Sequence, residues 1–228
     1  MRVEPPERER TALARALYAA GAPVAAVLAG PYLADGLAVT LFADAPDDGV
    51  RDEGAMGRTL ARFHAAGDTV LAAGAIDVPR WEPAAWLARW LADAPDDALR
   101  AELTSRAAAL APSLAGDDTL LHTDAHAGNF RVAGGEAILV DLEQVAAGPH
   151  LYDVTPFEVT ERRFRGDHAS WRRFAVAAGV DPDDPRLPPQ IALREVLAVG
   201  FVFGLGHVSV ARQRLAELDR PDARWTPF

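Results

Sequence analysis

The chain has 228 residues, half of them hydrophobic and a quarter charged, which is the balance of a soluble globular protein. Its formal net charge of −10 argues against nucleic acid as a partner, because a phosphate backbone would be repelled. The absence of cysteine excludes disulfides, thiolate metal sites and a thiol nucleophile. All 23 basic residues counted as Lys+Arg are arginine, so no lysine occurs anywhere.

The N-terminal segment, MRVEPPERER, lacks the apolar core of a signal peptide, which favours a cytoplasmic location. The longest apolar run, residues 196–206, is too short to span a bilayer and predicts a buried helix. We therefore expect no membrane association.

The first element is a helix. Residues 7–20 follow two prolines, and Leu13 and Leu17 fall on one face of the helical period. Gly21 marks the end of this helix.

A hairpin and a boundary follow. Residues 25–30 and 36–42 are short apolar segments broken by proline and Asp-Gly, which indicates a hairpin. The polar link at 43–49 is the best candidate for a boundary between lobes. We expect a reduced N-terminal lobe over residues 1–44 and a C-terminal catalytic lobe over residues 45–228.

The larger part of the chain is mainly helical by its periodicity. A loop with four prolines is predicted at residues 181–189, and a helix broken around Gly204 and Gly206 at residues 191–218. Three further helices are predicted at residues 53–66, 81–91 and 97–110.

The densest set of polar residues lies between residues 120 and 153, in the run LLHTDAHAGNFRVAGGEAILVDLEQVAAGPHLYD. A Gly-Gly turn at residues 134–135 predicts a hairpin that sets Asn129 opposite Val140. Asp141 is then a diagonal neighbour of Asn129, roughly 5–8 Å away. A carboxylate and an amide oxygen suit Mg²⁺ rather than zinc, so we predict Asn129 and Asp141 as metal ligands.

Asp124 lies five residues before Asn129, in a turn loosened by Ala127 and Gly128. From there it can face the same metal and accept a proton from an attacking hydroxyl. A carboxylate that orients the acceptor, together with oxygen ligands for a metal, is the set that phosphoryl transfer needs.

The order H-x-D-x-x-x-x-N, then a strand-borne Asp, then GPHLYD resembles the aminoglycoside phosphotransferase and choline kinase group, which is related in fold to the protein kinases. The likeness extends over residues 7–228 and includes LARFHA at 60–65 and RWTPF at 224–228. It implies an α+β, protein-kinase-like fold of the aminoglycoside phosphotransferase type, with a truncated N-lobe and a mostly helical C-lobe.

By this resemblance, Asp124 would be the catalytic base and His122 would brace the catalytic loop. Asn129 and Asp141 would ligate Mg²⁺, and Asp153 would be the group's second, structural aspartate.

The resemblance also implies a nucleotide site for ATP or GTP. The backbone of Leu41, Phe42 and Ala43 would meet the base. Glu7 or Glu9 would take the place of the glutamate that pairs with a lysine, which is missing here.

Two departures from the group's pattern stand out. Thr123 replaces the glycine that usually follows the loop histidine, which we expect to be a mild change. The first glycine is Gly21, so no glycine-rich phosphate loop precedes the first helix. The segment that would carry this loop and the lysine is therefore expected to be missing.

The leading hypothesis is an ATP-dependent phosphotransferase that acts on a hydroxyl of an antibiotic- or metabolite-like small molecule. One alternative is a degenerate kinase-like protein, or one whose protein partner supplies the phosphate clamp; a peptide Ser/Thr kinase of natural-product biosynthesis falls in this class. A second alternative, with less support, is a metal-dependent hydrolase, since His122, Asp124 and His126 alternate like ligands.

The remaining polar residues have simpler expected roles. His64 is expected to be a packed histidine at a helix end. A cluster of arginines is expected to form a solvated helix face, namely Arg162, Arg163, Arg165, Arg172 and Arg173. Three acids fall where the group often shapes its acceptor pocket, namely Glu158, Glu161 and Asp167.

Overall fold

A computed structural model describes residues 6–34 and 37–227, without the side chains of residues 6–8, 33–34 and 37. Within these residues, helices dominate, and the strands form three separate two-stranded antiparallel sheets. This is the expected α+β fold, with a small N-terminal part and a mostly helical C-terminal part.

The N-terminal part consists of α1 (Pro6–Ala19) and a hairpin of β1 (Val27–Ala34) and β2 (Leu37–Phe42). Leu13 and Leu17 are buried, as the helical period predicts. Pro31 does not interrupt the first strand; it lies within β1, where the pairing register shifts. The predicted Asp35-Gly36 turn lies outside the described residues.

Three helices follow: α2 (Glu53–Ala73), α3 (Pro83–Trp90) and α4 (Asp97–Leu110). The helix predicted to end at residue 66 continues through Gly67 to Ala73. Gly67 is explained by tertiary packing and not by a helix end. A Cβ on Gly67 would lie 2.4 Å from Cβ of Leu120, so glycine here lets a strand approach α2 closely. His64 is therefore inside the helix, not at its end.

The strands after residue 117 form two ladders. β3 (Asp118–Leu121) pairs with β6 (Ala146–Pro149). β4 (Phe130–Ala133) pairs with β5 (Glu136–Leu139), and Ala133 faces Glu136, which confirms the predicted hairpin register.

Four helices complete the fold: α5 (Thr155–Thr160), α6 (His168–Ala177), α7 (Leu187–Gly204) and α8 (Val208–Glu217). The loop prediction is wrong at its end, since α7 begins at Leu187. Pro188 and Pro189 occupy its first turn, where a missing N–H is tolerated. The break between α7 and α8 confirms the expected interruption near Gly204 and Gly206.

Two hydrophobic clusters hold these elements together. One joins α1, α2, the β4–β5 hairpin, α5 and α6; the other joins α3, α4, α7, α8 and Trp225. By length and composition α7 could cross a membrane, but more than half of it is buried inside the fold, as expected of a core helix.

The solvated-face prediction is wrong for Arg163, which is fully buried. Its guanidinium pairs with Glu195 and donates to the carbonyls of Leu218, Arg220 and Ala223 at 3.2, 2.8 and 3.0 Å. It also lies 5.0 Å from the ring centroid of Trp225. A buried charge requires such partners, and they tie the C-terminal segment to the turn after α5.

Candidate active site

Asp153 organises the start of the loop that follows β3. It is fully buried, and its carboxylate accepts hydrogen bonds from the backbone N–H groups of His122 and Thr123 at 2.7 and 2.6 Å. A third hydrogen bond joins it to Nε2 of His64 at 2.9 Å. The loop is thus anchored by one carboxylate, with His64 as a partner that sequence reasoning did not assign.

His122 is buried and engaged through both ring nitrogens. Nε2 lies 2.8 Å from the carbonyl oxygen of Val140, and Nδ1 accepts from the N–H of Asp124 at 3.3 Å. A carbonyl can only accept, so the proton is on Nε2. This histidine joins the loop to the end of β5 and is not available as a zinc ligand.

Two left-handed residues flank the site. Among the described residues, only Thr123 (φ 70°) and Asp141 (φ 66°) are non-glycine residues with positive φ. For a β-branched threonine this conformation is strained, so replacing the usual glycine is costlier than the expected mild change. The surroundings hold it: Thr123 Oγ1 donates to the carbonyl of Gln144 at 3.2 Å. Such strain clusters at functional sites.

Asp124, Asn129 and the start of the Asp141 segment are joined by hydrogen bonds. Asn129 Nδ2 donates to the Asp124 carbonyl at 2.9 Å, and Val140 N–H donates to the Asn129 carbonyl at 2.9 Å. Since the amide nitrogen of Asn129 is used within the loop, its Oδ1 is the atom left for a cation. Asp141 follows Val140 directly and is exposed.

The Asp124 carboxylate has an ion-pair partner that sequence reasoning missed. Arg194 of α7 donates to Oδ1 of Asp124; the side chains are 18% and 27% exposed, respectively. Burial acts to lower the pKa of Arg194, but Asp124 and Tyr152 together outweigh it, so the pKa lies above its usual value. The one signal in the sequence is the charged pair Arg194-Glu195 inside a mainly apolar helix.

His126 lies beside the same carboxylate. Its Nε2 is 3.7 Å from Asp124 Oδ2, and its Nδ1 accepts from the N–H of Gly128 at 3.0 Å. Burial lowers the pKa of His126, while the charges of Asp124 and Asp141 oppose the shift. Both carboxylates therefore act on one imidazole.

A cavity of about 480 Å³ lies between α1, the β1–β2 hairpin and residues 139–143. Phe42, Ala43 and Asp141 are among its lining residues; Leu41 is not, and its side chain is exposed. The N–H of Ala43 donates to the carbonyl of Ala26 at 2.7 Å, so it is not free for a ligand. Two of the three residues expected to meet a base thus reach the cavity that contains Asp141.

The acids expected near an acceptor are engaged in contacts within the chain, Glu158 and Glu161 as buried side chains and Asp167 as an exposed one. Glu158 pairs with Arg162 at 2.7 Å, and burial raises its pKa while Arg162 opposes the shift. Glu161 pairs with Arg51 at 2.6 Å. Asp167 caps α6 by accepting from the N–H of Ser170 at 2.9 Å.

Among the residues that the structure describes, no cluster of three or more His, Asp or Glu side chains could hold a metal ion. The site instead combines one carboxylate and one amide oxygen beside a cavity, on a protein-kinase-like fold. The model of the phosphotransferase enzyme family (APH) matches residues 3–189. The chain belongs to this family.

Solved structures with similar folds agree with this assignment. An amicoumacin kinase, hAmiN, in complex with AMP-PNP, Ca²⁺ and Ami is 15% identical with a TM-score of 0.73, covering 96% of this chain and 79% of that one. A choline/ethanolamine kinase family protein from Mesorhizobium loti is 18% identical with a TM-score of 0.68, covering 94% and 79%. A microcompartment-associated aminopropanol kinase is 15% identical with a TM-score of 0.70, covering 99% and 86%. No curated protein matches.

Proposed function

We propose that this chain is an ATP-dependent phosphotransferase that phosphorylates a hydroxyl of a small molecule, antibiotic- or metabolite-like, in the cytoplasm. The observation that carries the proposal is the hydrogen-bonded loop that joins Asp124 to Asn129 and to the segment of Asp141, at the edge of a cavity. The AMP-PNP and Ca²⁺ bound to the similar amicoumacin kinase support a nucleotide and a divalent cation as ligands. GTP is the alternative donor.

The donor set fits Mg²⁺. Asn129 has committed its amide nitrogen and keeps its oxygen, while Asp141 is exposed at the cavity. When bound there, the ion would neutralise charge on the phosphates. Phe42 and Ala43 would contact the base at the other end of the cavity, with Leu41 beside them outside it.

The proposed reaction transfers one proton to Asp124 and one phosphoryl group to the acceptor. Asp124 accepts the proton of the acceptor hydroxyl, whose oxygen forms a bond to the γ-phosphorus while the bond to the β–γ bridging oxygen breaks. ADP leaves with the electron pair of that bond. His122, which holds Asp124 and Val140, keeps the loop in place throughout.

Arg194 serves as a positioning residue. Its guanidinium fixes one carboxylate oxygen of Asp124, so the other is left for the acceptor hydroxyl. Because a loose phosphoryl-transfer transition state needs orientation more than a strong base, pairing with an arginine is compatible with this role.

A second candidate is a kinase that functions with a protein partner, including one that modifies Ser or Thr of a peptide. One observation favours it: large apolar side chains are exposed on the β1–β2 hairpin, namely Leu28, Tyr32, Val39, Leu41 and Phe42. Such a patch is typical of an interaction surface, and a partner bound there could supply a phosphate clamp. A degenerate, inactive chain is the remaining alternative.

The test is a titration of Mg-ATP into the purified chain, followed by assays of γ-phosphoryl transfer to hydroxyl compounds. We expect metal-dependent nucleotide binding. Asp141→Asn should weaken the metal dependence, and Asp124→Asn should retain binding but lose transfer by about 100-fold or more. The exposed Asp117→Asn is the matched control and should behave as wild type.

The outcomes separate the candidates. Binding and transfer by Asp124→Asn at the wild-type level would contradict the proposed base. Failure of the wild-type chain to bind Mg-ATP would contradict the leading proposal and favour the partner-dependent or inactive form.

A further inference from the structure

The nucleotide proposed above brings several negative charges into a cavity that already has acidic residues in its wall. Asp141 and Glu143 both line it, and a divalent cation offsets only part of the phosphate charge. The group that this chain resembles uses a lysine there, and this chain has none. Among the residues of this sequence, the side chains with a permanent positive charge that could bind phosphate are arginines.

Arg10 is the one basic residue among the described residues that line this cavity. It lies on α1, and its neighbours Thr11 and Ala14 line the cavity with it, so this face of the helix forms one wall. Leu139 and Asp141 line the same cavity.

A second, adjacent cavity of about 760 Å³ indicates where Arg10 lies along the first. Arg10, Leu142 and Glu143 line both cavities, whereas Phe42 and Ala43 line the first alone. Arg10 is thus at the end near the turn after Asp141, away from the end where the base would bind. That is the end where the phosphates would meet the metal ligands.

The charge of Arg10 is also uncommitted. It is exposed and forms no ion pair or hydrogen bond with any other residue that the structure describes. By contrast, Arg194, beside Asp124, is engaged with that carboxylate, and Arg51 pairs with Glu53 and Glu161. Glu7 or Glu9 was expected to take the place of the lysine's partner. Glu9 lines the second cavity and not the first, and the side chain of Glu7 lies outside the described part of the chain.

We propose that Arg10 binds the phosphates of the nucleotide, as the cation that replaces the missing lysine. This inference rests on the proposed function and assigns a binding residue for its donor substrate. The guanidinium can contact two phosphate oxygens at once, which gives a geometry different from a lysine's point charge.

The experiment compares the affinities of Mg-ATP, Mg-ADP and adenosine, measured by displacement of a fluorescent ATP analogue. The variants are Arg10→Gln, Arg10→Lys and, as a matched control on the same helix, Arg15→Gln. Arg15 is exposed, donates to the carbonyl of Gly30 at 2.9 Å, and does not line the cavity.

We expect Arg10→Gln to weaken Mg-ATP binding about 10-fold or more, because one charged hydrogen-bonding contact is lost. Adenosine binding should change less than about 2-fold, and Arg10→Lys should recover part of the ATP affinity. Arg15→Gln should match wild type for all three ligands.

The result that overturns the inference is equal ATP affinity in Arg10→Gln and wild type. Equal losses for adenosine and ATP, or an equal loss in Arg15→Gln, would also overturn it, because they indicate a general disturbance of α1. If the wild-type chain binds no Mg-ATP, the proposed function itself fails, and that result is distinct from the others.

Discussion

The loop region, residues 120–153, and the β1–β2 hairpin differ in how their side chains are buried and hydrogen-bonded. In the loop, His122, Asp153 and Asn129 are buried and hydrogen-bonded within the chain. On the hairpin, Leu28 and Tyr32 are 68% and 58% exposed. The half of the site that would hold the catalytic base and the metal is therefore built by internal contacts. The half beside the cavity proposed for the nucleotide leaves apolar surface exposed.

The largest expected effect tests the loop. Asp153→Ala removes the acceptor of the His122 and Thr123 N–H groups and the partner of His64. Buried donors would be left unpaired, so we expect a loss of about 3–5 kcal/mol in the free energy of unfolding. Urea denaturation followed by circular dichroism measures it, with Asp117→Ala as an exposed control. A loss below about 1 kcal/mol would contradict this account of the loop.

The second prediction compares leucines from the two regions. Leu120 is fully buried against α2, whereas Leu28 is exposed on the hairpin. Truncating Leu120 to alanine should cost about 2–5 kcal/mol through the cavity created, and truncating Leu28 less than about 0.5 kcal/mol. The same denaturation assay applies. Similar costs at both positions would mean that the hairpin face is covered in solution, and the contrast would fail.

The third prediction concerns the contact between α7 and the loop. Arg194→Gln removes the charge partner of Asp124, so we expect phosphoryl transfer to slow by about 10- to 100-fold, the equivalent of one charged hydrogen bond. The effect should fall on kcat and leave the affinity for Mg-ATP unchanged. Partial recovery in Arg194→Lys would support a positioning role, whereas a change in ATP affinity alone would exclude it.

The smallest effect is a pH dependence. Since burial lowers the pKa of His126, the unfolded chain binds more protons as the pH falls through the ordinary histidine value of 6.5. Stability should therefore decrease on acidification in this range. In His126→Asn the decrease between about pH 7.5 and about pH 5.5 should be smaller than in wild type, measured by urea denaturation without divalent metal. The exposed His168→Asn is the control; an identical decrease in His126→Asn and wild type would refute the prediction.

Local patterns predicted the local part of this architecture. The register of the β4–β5 hairpin followed from two glycines and alternating side chains, and the buried face of α1 from the spacing of Leu13 and Leu17. Because the loop residues are close in sequence, the link between Asp124 and Asn129 was also within reach of that reasoning.

Contacts between distant segments were not predictable in the same way. Arg194 contacts Asp124 across 70 residues of sequence, and the composition of α7 does not indicate which partner this arginine meets. In the sequence Gly67 indicated a helix end, whereas in the structure it lies inside α2, where β3 approaches the helix closely. Arg163 can be buried because it donates to carbonyl groups near the C-terminus, and the hydrophobic periodicity of the sequence does not predict such contacts.

Arg163 connects the C-terminal segment to the helical lobe. Its guanidinium holds three carbonyl groups from residues 218–223 and one face of Trp225. Cutting the chain after residue 217 would strand a cation in the interior with only Glu195 to neutralise it. Cleavage within residues 218–223 should therefore destabilise the packing of α5 and α7 together.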